Sequence, residues 1–247
     1  MSQAKPRRGM RLLVFQHFHA EHLGRFGPML QEDGVEVHKV ALDEGEPIPS
    51  LDNVDALWAL GGPQQVWQED EYPWLAAEKE AIREAVIDRK LPFFGLCLGH
   101  QLLAESLGGK TGVAEKPEVG ILPAHLTAQG KQSPLFRNFP PVFDCVQGHG
   151  AEVKAAPPST EILAQSPDCK IQAMAYAGRA FSVQFHAELT LEMIDACLEL
   201  PEYKHDFEAM MGIDGIARFR EQTVQRAPEF DTCARMLYEN WMSCAAG

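Results

Sequence analysis

The residues in this chain best suited to covalent chemistry surround one cysteine held between two glycines, in the run Leu91-Pro-Phe-Phe-Gly95-Leu-Cys97-Leu-Gly99-His-Gln101. Phe93, Phe94 and Leu96 read as the end of a strand buried on both faces. Leu102, Leu103 and Leu107 follow at helical spacing before a Gly108-Gly109 stop. Cys97 therefore falls on the corner between strand and helix. A corner this sharp leaves no space for Cβ atoms at its flanks, which Gly95 and Gly99 satisfy, as in the serine elbow G-x-S-x-G. The helix starting near Leu98 aims unpaired N–H groups and its positive dipole end at the sulfur, which favours a reactive thiolate.

A thiol nucleophile needs a base, and the base needs an orienting group. The stretch Ala180-Phe-Ser-Val-Gln-Phe185-His186-Ala187-Glu188 supplies both. Read as a strand, it puts His186 and Glu188 on one face, because strand side chains alternate. His186 is then the candidate base and Glu188 the carboxylate that fixes its tautomer. A third element completes the chemistry: residues 54–60 read as a buried strand running into Gly61-Gly62-Pro63. The N–H groups of Gly62 and Leu98 are the candidate oxyanion donors.

The elements that must position these residues alternate along the first half of the chain. Strands are expected at 11–15, 35–40, 54–60 and 93–96, with helices at 24–31 and 74–88 between them. This order predicts an α/β fold with a doubly wound, mostly parallel sheet, whose ligands gather beyond the carboxyl ends of the strands. Between 110 and 184 the pattern shifts to short β-prone pieces at 122–128, 142–146, 161–164, 172–176 and 181–184. Thr190 then caps a helix carrying Leu191, Ile194 and Leu198, and Phe230, Cys233, Leu237 and Trp241 line one face of a final helix.

The Leu60-Gly61-Gly62-Pro63 turn, the Gly95-to-Gln101 elbow and the Gln184-to-Glu188 stretch, in this order and spacing, resemble the class I glutamine amidotransferases, the family whose domain also serves GMP synthase and anthranilate synthase. The resemblance covers about residues 11–188. It implies a flavodoxin-like domain that attacks the side-chain amide of glutamine, forms a γ-glutamyl thioester, releases ammonia and hydrolyses the thioester to glutamate, with no cofactor and no metal. By position, Cys97 is the nucleophile, His186 the base, Glu188 its partner, and Gly62 with Leu98 the oxyanion donors. Gln101 matches the family glutamine that helps hold the substrate's amino-acid end. Gly148, His149 and Gly150 match the stretch that lines the glutamine site through its backbone. Two departures stand out: the family's His-Pro-Glu is His186-Ala187-Glu188, and the bulky residue expected before His149 is Gly148.

Composition agrees with this reading. The 247 residues, 45% hydrophobic and without a long apolar run, suit one large α/β domain and exclude a membrane partner. A net charge of -13, with basic residues clustered only near the start, argues against nucleic acid. No signal-peptide pattern is present, and six cysteines without a C-x-x-C pair fit a reducing cytoplasm. The expected organisation is a tail at 1–10, an amidotransferase-like domain at 11–200 and a helical extension at 201–247 packed on it. Some forty residues are too few for a core of their own, and no fused synthase is expected. His17, His19 and His22 read as solvated or substrate-lining rather than metal-binding, and His100 and His149 as pocket walls. The expected partners are a small substrate, glutamine or another γ-glutamyl compound, and an acceptor synthase on another chain. A free-standing γ-glutamyl hydrolase is the alternative; a non-catalytic relative should show a damaged triad, which this chain does not.

Overall fold

The structure, a computed structural model, describes residues 9–246; residues 1–8, most of the expected tail, lie outside it. Met10, assigned to that tail, is instead buried in the core. The first half runs β1 (Arg11–Gln16), α1 (Phe26–Glu32), β2 (Glu36–Ala41), β3 (Ala56–Ala59), α2 (Trp74–Arg83), β4 (Phe93–Leu96) and α3 (Leu98–Ser106). The helix expected over 74–88 is α up to Arg83 and closes as a π turn over Glu84–Asp88. The second half runs β5 (Lys110–Leu126), β6 (Val142–Ala155), β7 (Thr160–Gln165), β8 (Ala173–Tyr176), β9 (Ala180–Val183), α4 (Leu191–Leu198), α5 (Pro201–Met211), α6 (Ile213–Gln225) and α7 (Ala227–Ala245).

All nine strands form one sheet in the order β2-β1-β3-β4-β9-β8-β7-β5-β6. From β2 to β9 the neighbours are parallel; from β9 to β6 they are antiparallel. The fold is thus α/β, with the expected parallel sheet on one side and an antiparallel wing on the other. Two of the short pieces expected in the wing are long strands, β5 and β6, paired with a register shift between Val113 and Glu118. Their length escapes local reading because Gly, Pro and charged residues interrupt the alternation, while the ladder between the two strands holds them extended.

Strand alternation divides the core between the two faces of the sheet. Leu12, Val14, Ala56, Trp58, Phe94 and Leu96 pack on one face with Phe26 of α1 and Leu237 and Trp241 of α7. Leu13, Phe15, Leu57, Ala59 and Phe93 pack on the other with Ile82 of α2 and Leu102 of α3. Trp241 is fully buried, meets Trp58 edge to face at 5.0 Å and donates its ring N–H to Phe93 O at 3.1 Å. The end of the helical extension is therefore part of the main core. Among the described residues no helix is long and apolar enough to cross a membrane.

Candidate active site

Four adjacent parallel strands, β1, β3, β4 and β9, deliver the site at their carboxyl ends. His17 and Glu21 follow β1, Gly61 and Gly62 follow β3, Cys97 follows β4, and His186 with Glu188 follow β9. This is the edge at which open parallel sheets bind ligands.

Cys97 has φ 48° and ψ −99°, a conformation that non-glycine residues rarely adopt and that costs about 1–3 kcal/mol. Its N–H donates to Val183 O at 2.9 Å, and Gly99 N–H donates to Leu60 O at 3.1 Å, so both neighbouring strands clamp the corner. A Cβ on Gly99 would overlap the carbonyl of Ala59, and one on Gly95 would lie 2.5 Å from Gly99 O. The two glycines are required by backbone atoms, which have no means of moving aside. Leu98 is the first residue of α3, so its N–H has no intrahelical acceptor.

The expectation that His186 and Glu188 share a strand is not met: β9 ends at Val183, and both residues lie in the following loop. They meet nonetheless, His186 Nδ1 donating to Glu188 Oε1 at 2.6 Å with both side chains buried. The loop is fixed from outside. His186 N–H donates to Val146 O of β6 at 2.9 Å, and Arg25 N–H donates to Glu188 O at 2.9 Å. Gly24, at φ 46°, has no side chain because a Cβ there would overlap that same Glu188 carbonyl. Burial alone would push the imidazole pKa down, but the Glu188 carboxylate and the Cys97 sulfur, which hydrogen-bonds it, hold His186 well above its ordinary value. With Nδ1 committed to Glu188, Nε2 is the nitrogen left for Cys97.

Several contributors went unassigned from sequence. His17 is fully buried, with Nδ1 facing Gly61 O at 3.0 Å and Nε2 facing Glu78 Oε1 at 2.9 Å. Desolvation opposes its protonation, yet Glu78 and Gly61 raise its pKa above the ordinary value. Because a trans peptide carries C=O and N–H on opposite sides, pinning Gly61 O on His17 turns the Gly62 N–H the other way. His19 and His22 are exposed, and the three histidines do not converge. Gln184 Nε2 donates to Cys97 Sγ at 3.5 Å, and its Oε1 accepts from Gln101 Nε2 at 3.2 Å. Gln101 Nε2 also donates to Ala151 O at 3.1 Å, which leaves its carbonyl oxygen for a substrate.

A cavity of about 710 Å³ opens over the sulfur, with Gly62, Leu98, Gln101, Gly148, His149 and Gly150 on its wall beside Cys97. The residues expected as oxyanion donors and as the substrate-holding stretch therefore border one space with Cys97, while His186 and Glu188 lie behind it. Tyr203, Phe207 and Met210 of α5 form its far side. His100 is not a pocket wall: its ring accepts from Ser182 Oγ and donates to Ile171 O inside the core, and burial pushes its pKa down to about 3. His149 Nδ1 donates to Ala151 O at 2.9 Å, while Nε2 lies 3.2 Å from Glu118 Oε2 without hydrogen-bond alignment. With Cys169 these two form the one group among the described residues able to offer three metal ligands, all within 4.8 Å. Glu118 is the cross-strand partner of His149 and already accepts from Ser166 Oγ and Gln172 Nε2, so the group is built as a buried polar network.

The family profile described as "Glutamine amidotransferase class-I" matches residues 28–198. The glutamine-hydrolysing GMP synthase subunit of Methanocaldococcus jannaschii is 38% identical over 145 residues, 58% of this chain and 70% of that protein. The glutamine amidotransferase-like protein YfeJ of Salmonella typhimurium is 27% identical over 225 residues, 89% of this chain and 93% of that protein. Among solved structures, a glutamine amidotransferase from Thermotoga maritima superposes with a TM-score of 0.84 at 24% identity, covering 97% of this chain and 99% of that one. One from Methylobacillus flagellatus superposes equally well, at 21% identity over 96% and 95% of the two chains. With its fold, its strand-end site and a profile match over most of its length, the chain belongs to the class I glutamine amidotransferase family.

Proposed function

We propose that this protein hydrolyses the γ-glutamyl amide of glutamine through a thioester on Cys97, yielding glutamate and ammonia. The single observation that carries the reading is a strained cysteine corner on the wall of the large cavity, its sulfur hydrogen-bonded to the imidazole of a buried imidazole–carboxylate pair. His186 Nε2 takes the thiol proton, and Sγ attacks the amide carbon while the Gly62 and Leu98 N–H groups receive the developing oxyanion. His186 then returns the proton to the leaving nitrogen, the C–N bond breaks, and a thioester remains. Water, deprotonated by His186, hydrolyses the thioester and restores the thiol. Glu188 holds the tautomer throughout. Gln101 and the backbone of Gly148, His149 and Gly150 grip the amino-acid half, and the helical extension acts as part of the same catalytic unit. In keeping with the GMP synthase relatives, ammonia passes to an acceptor synthase on another chain.

A second reading, a free-standing γ-glutamyl hydrolase acting on larger conjugates, is favoured by the size of the cavity. One assay separates the two: purified protein is offered glutamine, γ-glutamyl dipeptides and glutathione conjugates, with glutamate and leaving group quantified. Glutamine cleaved at a kcat/KM at least as high as any conjugate supports the first reading; a clear preference for conjugates supports the second. Cleavage of none of them, by protein whose Cys97 is intact, overturns both.

A further inference from the structure

Glu21 is a buried carboxylate that the mechanism above does not use. One oxygen, Oε1, accepts from the hydroxyl of Tyr203 on α5. The other, Oε2, is buried without a hydrogen-bond partner among the described residues. Its place is built: a Cβ on Gly61 would overlap Oε2 and stand 3.1 Å from His186 Cε1, so the glycine at 61 lets the carboxylate reach the base. Glu21, Cys97 and His186 border a second, small cavity of about 40 Å³, closed on its other side by Tyr203, Phe207 and Phe219 of the helical extension. The rings of Phe207 and Phe219 lie 6.1 Å apart. A carboxylate set among aromatic faces is the chemistry that recognises an amine cation. The volume admits a particle of the size of ammonia or methylammonium and little more.

We propose that Glu21, with Tyr203, Phe207 and Phe219, forms an ammonium-binding chamber that receives the amine leaving group beside Cys97. The role as leaving-group receiver rests on the glutamine-hydrolysis reading; the cation site itself does not. When the C–N bond breaks, the nitrogen keeps the bonding pair and takes one proton from His186, giving ammonia. Ammonia that takes up a further proton from solvent is held there as ammonium paired with the Glu21 carboxylate, and returns that proton to solvent before it moves on as ammonia. Burial pushes the Glu21 carboxyl up, although His186 and the Tyr203 hydroxyl act against this, so a cation beside it relieves the cost of burying its charge.

The test is thermal unfolding of the full chain at pH 7.5 in ammonium or methylammonium chloride against sodium chloride of equal ionic strength, since a ligand bound only by the folded state raises the midpoint. A saturable upward shift is expected with both small cations and none with tetramethylammonium. Glu21→Gln should weaken the apparent affinity at least tenfold. Phe207→Leu, which keeps an apolar side chain of similar bulk, should weaken it several-fold and serves as the test if Glu21→Gln does not fold. No shift in the wild-type protein, or equal shifts in wild type and the folded variants, overturns the proposal. A Glu21-dependent shift in a protein that leaves glutamine uncleaved keeps the cation site and removes the proposed function; cleavage of glutamine without a shift does the reverse.

Discussion

The corner at Cys97 and the loop at His186 are held in opposite ways. Backbone packing builds the corner: a positive-φ cysteine, a glycine packed against the corner's own carbonyl and another against that of β3, and main-chain hydrogen bonds to the flanking strands. Distant elements hold the loop, with Val146 of β6 gripping the histidine backbone and the segment before α1 gripping the backbone of Glu188. A nucleophile needs a fixed position on the cavity wall, which this backbone geometry supplies. A base must be buried beside a carboxylate, and burial is a tertiary property.

The largest effects test whether both regions serve one reaction. Cys97→Ala should abolish turnover and covalent labelling by a glutamine-mimicking electrophile, and His186→Ala should lower kcat by a factor of order 10² to 10⁴. Retention of near-wild-type turnover in either variant would separate the two regions functionally.

Next comes stability at the corner. Gly99→Ala meets the Ala59 carbonyl, so unfolding in urea should show a loss of about 1–3 kcal/mol or more, with activity falling alongside it. An unchanged midpoint would show that the corner has slack that its geometry does not suggest.

The loop should reveal itself through pH. The pKa of His186 is raised in the folded protein, so its contribution to stability is full below the unfolded value of about 6.5 and is lost as pH rises through the folded value. Glu188→Gln removes the main cause of that rise. The stability difference between wild type and Glu188→Gln should therefore be larger at pH 6 than at pH 9; a difference that is flat or grows with pH contradicts the ion pair.

The smallest effects belong to the antiparallel wing. A Cβ on Gly148 would have His186 Nε2 as its nearest neighbour, 4.0 Å away, and one on Gly150 would meet nothing within 4 Å. Gly148→Ala and Gly150→Ala should each change stability by no more than about 0.5 kcal/mol. If Gly148→Ala alters discrimination between glutamine and larger γ-glutamyl conjugates, it locates the leaving-group side of the cavity.

The parallel half of the sheet and the identity of the corner are legible in the residues alone, because buried strands, glycine spacing and helix starts are local patterns. Strand β4 lies where its apolar run puts it, and Thr190 caps α4, its Oγ1 accepting from Met193 N–H at 3.4 Å. The remainder depends on contacts between distant elements. His186 and Glu188 come together in a loop, so the alternation that suggested their pairing was not its cause. His17 became the anchor of the Gly61 carbonyl and Glu21 the neighbour of His186, although nothing in Gln16-His17-Phe18-His19-Ala20-Glu21-His22 distinguishes one histidine from the next. The physical reason is range: propensity and periodicity act over a few residues, whereas a buried charge is defined by whichever distant strand or helix removes its water and supplies its partner.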